Sequence, residues 1–361
     1  MSQSSATDSI RIKAGKRVCE LIQDGAFHFD RLSTYFAPAT GPRWLAATGF
    51  DLALMKSDLL GRLRPVTLIG ASAGAWRFAA WTQPEPEKSY RALMDAYIKT
   101  SYKRMETPAT ILQSMRNIIN AYLEDDALPF ALANKKYRLA IITARAKHLV
   151  SSETKWVQQM GLGMCFLLNA INRSYLYHFA ERVVFYNGPK PPHFCLRSDF
   201  QGRYISLTEI NFKHVVMASG AIPVVIAGVR NIYGAPTGIY RDGGLIDYHL
   251  THPYAAKADD ITLFFNHQER IIPGWLDKKL SYRHPPDHIL DNVLMVYPSE
   301  EFVARLPGGK VPDRDDFTTF IDDPATRIEN WRHAVQMAES LGEQFLELVE
   351  SGKIRHMIKS F

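Results

Sequence analysis

The pentapeptide Gly70-Ala71-Ser72-Ala73-Gly74 is the strongest chemical signal in the chain. A serine at a sharp strand-to-helix turn sits in a strained backbone conformation, and the flanking glycines remove the Cβ atoms that would clash there. Its hydroxyl then stands at the carboxyl end of a sheet, under the positive end of the next helix, where the Ala73 N–H can hold an oxyanion. A hydroxyl attacks poorly near neutral pH unless a base takes its proton. Asp242-Gly243-Gly244 offers that base: the glycines open backbone torsions closed to other residues and let a carboxylate approach closely. A D-G-G alone is most often only a turn. As a base the aspartate must be desolvated, because an exposed carboxylate near its usual pKa of about 4 is too weak.

The elements that must position these groups are readable from periodicity. Residues 64–69, RPVTLI, read as a buried strand and residues 73–82 as the helix that follows, giving strand, tight turn, helix. Further strands are expected at 34–37, 137–144, 183–186, 204–207 and 261–265, and helical patterns at 45–60, at 90–123 with a break at Pro108, and at 155–181. Strands alternating with helices predict an α/β fold with a mostly parallel sheet. The apolar piece 160–171, MGLGMCFLLNAI, reads as a core helix or as a lipid-facing cap, with Phe166, Leu167 and Leu168 as walls for an acyl chain. Residues 215–229 are too short and too interrupted by Gly220 and Pro223 to span a bilayer, and read as a buried turn. Trp331, Val335, Ala338, Leu341, Phe345 and Leu348 mark one apolar face of a helix over 324–353. Residues 1–10 are polar and expected to be poorly ordered; 11–361 are expected to form one domain, helical in its extension from about 270.

The two motifs, with Ala218-Ser219-Gly220-Ala221-Ile222-Pro223 between them, resemble the patatin-like phospholipase family over about residues 34–265. The resemblance implies a three-layer α/β/α fold and a catalytic dyad without histidine, with Ser72 as nucleophile and Asp242 as base. It implies a lipid acyl hydrolase, cleaving carboxylic esters through an acyl-enzyme with no cofactor and no metal. Family members also carry a glycine-rich oxyanion loop after the first strand. Here that place reads Ala37-Pro38-Ala39-Thr40-Gly41-Pro42-Arg43-Trp44, with Gly41 and Arg43 where a glycine and the arginine are expected and the other glycines missing. Pro42 has no N–H to offer. The oxyanion hole is therefore assigned to Gly41 and Ala73, with Thr40 or Arg43 assisting.

Two other readings stand beside this one. Ser72, Asp242 and then His249, His252 or His267 follow the order of an α/β-hydrolase triad. A lipid-binding protein on a decayed hydrolase scaffold would account for the missing glycines. Composition favours neither: 361 residues, 46% hydrophobic and 22% charged, exclude a disordered or low-complexity chain. The formal net charge of +6 comes without like-charge runs or aromatic interleaving, so nucleic acid is not expected, whereas peripheral contact with an anionic membrane surface is. Cys19, Cys165 and Cys195 are too widely spaced to suggest a disulfide framework or a zinc site. With no apolar leader at the start, a cytoplasmic setting is expected. No pattern specifies an oligomer.

Overall fold

The computed structural model describes residues 9–361. Its strands are β1 (Ile10–Ala14), β2 (Leu32–Ala37), β3 (Val66–Ala71), β4 (Tyr137–Ala146), β5 (Ala180–Tyr186), β6 (Arg203–Ser206), β7 (Val229–Arg230), β8 (Ile239–Asp242), β9 (Ile261–Phe265), β10 (Val293–Pro298) and β11 (Ile358–Ser360). They form one sheet in the order β11-β1-β10-β9-β2-β3-β4-β5-β6, with β8 on β4 and β7 on β8. The run β10-β9-β2-β3-β4 is parallel throughout; β1 on β10, and β5 and β8 on β4, are antiparallel. This is a three-layer α/β/α architecture on a mostly parallel sheet.

Alternation along the central strands explains the layering, since successive side chains point to opposite faces. Tyr35, Leu68, Leu139, Leu263 and Leu294 enter the larger core on one face, while Phe36, Ile69, Ala140, Phe264 and Met295 enter a second core on the other. Both faces are covered, as parallel strands require. The larger core is capped by α1 (Lys16–Gln23), α2 (Thr48–Ser57), α3 (Ala73–Trp81), α4 (Pro86–Lys99), α5 (Pro108–Tyr122) and the long helix Pro324–Glu350.

Several expectations shift at their edges. The apolar stretch 45–60 opens with a 3-10 turn, Gly41–Ala47, and becomes α-helical only at Thr48. The pattern over 155–181 is a continuous helix only over Lys155–Ile171; a 3-10 turn, Arg173–Tyr175, and a short helix, Leu176–Phe179, follow, and its last residues enter β5, whose β-branched Val183 and Val184 fit the sheet. Residues 215–229 are not simply a turn, because the helix Phe212–Ser219 runs into them. Ile10 already pairs with Pro298 in β1, so order begins before residue 11; residues 1–8 lie outside the described range. The segment from 270 onward is not only helical: it contributes β10 and β11. β10 is buried on both faces and lacks the period that marks a half-exposed strand.

One buried ion pair fixes the helix after Ser72. Arg77 of α3 grips Asp51 of α2 through two bonds of 2.7 and 2.8 Å, and both residues are fully buried. Tyr35 of β2 and Tyr90 of α4 donate their hydroxyls to the same carboxylate, which therefore ties four elements together. Removing one partner strands the other charge in the core. Asp51→Ala is expected to lower stability by about 3–5 kcal/mol in urea unfolding, well beyond a surface salt bridge.

Candidate active site

The register of β4 brings the two motifs together. β3 pairs with residues 137–142 of β4 and ends at Ala71, opposite Ile142. β8 takes over the same edge from Thr143 onward, with Asp242 opposite Thr143. Ser72 and Asp242, 170 residues apart, thus meet where one strand ends and the other begins, and the Ser72 Oγ donates to the Asp242 Oδ2 at 2.6 Å. Both residues are buried.

Ser72 has φ 54° and ψ −126°, a conformation costly for a residue with a Cβ and held only by its surroundings. The motif glycines serve close approach. A Cβ on Gly70 would lie 2.5 Å from the Ala75 nitrogen, and one on Gly74 2.1 Å from the Ala37 carbonyl oxygen. Gly243 and Gly244 likewise need space and not unusual torsions: their φ values are negative, and Cβ atoms there would meet the Ile142 oxygen at 2.2 Å and the Ala39 Cβ at 2.5 Å. The conformational freedom expected of D-G-G is not what this site uses.

The segment Ala218 to Pro223 does more than precede the aspartate. Ser219 Oγ accepts the Ser72 N–H at 2.8 Å and donates to the Ile142 carbonyl at 2.7 Å, while the Ala221 carbonyl accepts the Asp242 N–H at 2.9 Å. One short segment is thereby bonded to both Ser72 and Asp242. The Asp242 Oδ1 accepts the Gly244 N–H at 2.7 Å. Burial pushes the Asp242 carboxyl up to about 6, against the opposing pull of the Ser72 hydroxyl and the Gly244 N–H.

Of the four oxyanion candidates, two line a cavity together with Ser72. Gly41, at φ +56°, lines both cavities that contain Ser72, and Ala73 lines the larger. Each begins a helical segment, so its N–H has no intrahelical acceptor. Thr40 and Arg43 do not line these cavities. The Thr40 N–H is taken by the Pro38 carbonyl at 3.1 Å, and its buried hydroxyl has no partner. Arg43 lies 3.7 Å from Asp313 and faces a separate cavity with His267.

No histidine is bonded to Ser72 or Asp242 among the described residues. His249 Nδ1 accepts the Ile272 N–H, and its ring stacks on Tyr248 at 4.7 Å. His252 Nδ1 donates to the Thr251 carbonyl. Burial keeps all three poorly basic, His252 at about 4 and His267 at about 3, with His249 also depressed. The triad order in the sequence is not matched in space.

The acyl-chain walls also differ from expectation. Leu167 and Leu168 lie on the outer face of their helix, 65% and 37% exposed, and Phe166 lines neither cavity. An apolar cavity of about 1210 Å³, open to solvent, runs from Ser72 past Trp76, Tyr97, Met115, Ile118, Ile222 and Phe317. Four of these, Tyr97, Met115, Ile118 and Phe317, come from α4, α5 and the residue-317 turn, which no motif marks. A smaller cavity of about 290 Å³ joins Ser72, Asp242, Gly41, Tyr248, Trp275 and Arg314. Arg314 and Lys278 are cations acting on Asp242 that no motif marks; burial and the neighbouring Arg314 and Arg43 push the Lys278 ammonium down to about 8.

No family model matches the chain, and no curated protein does. Among solved structures nine chains match. One is the crystal structure of VipD from Legionella pneumophila, 12% identical, the match covering 86% of this chain and 67% of that one at a TM-score of 0.36. The functional reading therefore rests on the site itself. Among the described residues no group of three or more His, Cys, Asp or Glu side chains is arranged to hold a metal ion, and no helix is long and apolar enough to cross a membrane.

Two substitutions test how the site is held. Ser219→Ala leaves the Ser72 N–H unpaired in the interior and is expected to cost about 1–3 kcal/mol in urea unfolding. Gly74→Ala must displace the end of β2 and is expected to give little folded protein, read by circular dichroism of the purified chain.

Proposed function

We propose that this chain is a serine acyl hydrolase that cleaves carboxylic esters of acyl lipids through a Ser72–Asp242 dyad. The supporting observation is the 2.6 Å bond from the Ser72 hydroxyl to a buried aspartate, with Ser72 lining a mostly apolar cavity of about 1210 Å³. Asp242 takes the Ser72 proton as Oγ adds to the ester carbonyl, then returns it to the departing alcohol. Water, deprotonated by the same carboxylate, adds to the acyl-enzyme and releases the acid, restoring Ser72. A carboxyl near 6 suits both halves: ionised at neutral pH, yet acidic enough once protonated to donate.

Hydrolysis of p-nitrophenyl esters of graded chain length and of a labelled phospholipid is the direct test. Ser72→Ala and Asp242→Asn are expected to lose at least about a thousandfold in kcat/KM, while His249→Ala, His252→Ala and His267→Ala, where folded, stay within a few-fold of wild type. Because Asp242 must be ionised, kcat/KM is expected to fall about tenfold per pH unit below about 6 and to level off above it. Stoichiometric labelling of Ser72 by a fluorophosphonate separates the hydrolase from a non-catalytic lipid-binding protein.

The helix Lys155–Ile171 is the surface through which such an enzyme would meet lipid. Its inner face is buried through Leu162 and Cys165, whereas Trp156, Met160, Met164, Leu167 and Ile171 form an exposed stripe at helical spacing. After Lys155 this helix carries no charged residue, and Trp156 suits a headgroup boundary. Gln158 of the same helix accepts the Val224 N–H, in the turn whose Ile222 and Val225 line the acyl cavity. Met160→Glu with Leu167→Glu is expected to abolish flotation with anionic vesicles and to leave cleavage of a short soluble ester unchanged. A loss of self-association in place of vesicle binding would assign the stripe to a second copy of the chain.

A further inference from the structure

The loop that should supply the oxyanion donors is short of them. Thr40 has spent its N–H on Pro38, Pro42 has none, and Arg43 is turned toward Asp313, which leaves Gly41 alone on that side. Into the same space, from the far end of the chain, comes Arg314. Its Nη2 lies 4.0 Å from where a Cβ on Gly41 would stand, so the guanidinium reaches the immediate neighbourhood of that glycine. Arg314 lines the small cavity with Ser72 and Asp242 and the large one with Ser72 and Ala73, which places it at their junction.

The guanidinium is half-buried, and no carboxylate among the described residues forms an ion pair with it. Of its acidic neighbours in sequence, Asp313 is engaged with Arg43 and Lys310 and Asp316 with Lys310 and Trp331, while Asp315 is exposed and makes no ion pair with it. The Lys278 ammonium, 4.3 Å from the centroid of the Tyr248 ring, adds a second positive charge beside the same cavity. The Arg314 charge acts on Asp242 in the same cavity without a direct ion pair, and a cation beside a nucleophile that no contacting carboxylate neutralises is poised for negative charge that appears there.

We propose that Arg314 is a catalytic residue that completes the oxyanion hole, supplying the donors that the glycine-poor loop lacks. The inference rests on the acyl-hydrolase reading. As the Ser72 Oγ–carbon bond forms, the carbonyl π pair moves onto oxygen and the hydroxyl proton passes to Asp242. Arg314 donates hydrogen bonds to that oxygen with the Gly41 and Ala73 N–H groups and keeps its own protons. When the carbonyl re-forms, the alcohol leaves with the proton from Asp242. A guanidinium suits the task because it stays charged and presents several donors in one plane.

The test uses a neutral p-nitrophenyl ester and an anionic lysophospholipid with wild type, Arg314→Ala and Arg314→Lys. On the neutral ester Arg314→Ala is expected to lose about a hundredfold or more, carried by kcat with KM little changed. Millimolar guanidinium, and not methylammonium, should restore part of that loss in Arg314→Ala and leave wild type unmoved. Arg314→Lys, which keeps a cation, should retain intermediate activity and covers the case in which the alanine variant does not fold. Unchanged hydrolysis of the neutral ester overturns the proposal; if KM then rises only for the anionic substrate, Arg314 binds a headgroup charge instead. Loss without guanidinium rescue, together with a lowered Tm, also overturns it and makes the residue structural. If wild type neither hydrolyses any ester nor is labelled at Ser72 by fluorophosphonate, the acyl-hydrolase reading itself fails, and that result is distinct from all the others.

Discussion

The backbone at Ser72 is the constraint on which the site depends. A residue with a Cβ at φ 54° and ψ −126° is retained only if its surroundings over-determine it. Three do so here. Gly70 and Gly74 let the turn press against α3 and the end of β2, Ser219 holds the Ser72 N–H, and the Arg77–Asp51 pair anchors the helix that starts one residue later. Loosening any of them relaxes the turn and moves the hydroxyl away from its partner, so fold stability and site geometry are bound to the same few contacts.

The second requirement is electrostatic. The proposed dyad without histidine needs its carboxylate out of water, and Asp242 is held between strand β4, the Ala221 carbonyl and two glycines that admit no side chain. Desolvation raises its basicity, while the Ser72 hydroxyl, the Gly244 N–H and the positive charges of Arg314 and Lys278 restrain the rise. The histidines play no part in this balance. His249 and His252 use their Nδ1 atoms on backbone groups, and burial keeps both rings poorly basic. Their position after the aspartate in the sequence mimics a triad only because order along a chain carries no information about distance.

Local chemistry determined what could be read from the sequence alone. The strand-helix alternation and the closeness of Gly70 to Ala75 are constraints acting within a few residues, so they survive in the linear chain, whereas Gly74, Gly243 and Gly244 stand in recognisable motifs but answer to Ala37, Ile142 and Ala39, which only the fold brings near. The central strands were legible for the same reason, and β9 lies where its pattern places it. What only the tertiary structure decided involves groups distant in sequence that share no pattern. The replacement of β3 by β8 along one edge of β4 brings residues 72 and 242 together. Much of the wall of the large apolar cavity comes from α4, α5 and the residue-317 turn, whereas in the run 160–171 Leu167 and Leu168 face outward while Leu162 and Cys165 are buried, because a helix can bury only one of its sides. Arg314 and Lys278 sit in a region without a motif. Their effect on the site comes from charge and proximity, which a sequence encodes only through the completed fold.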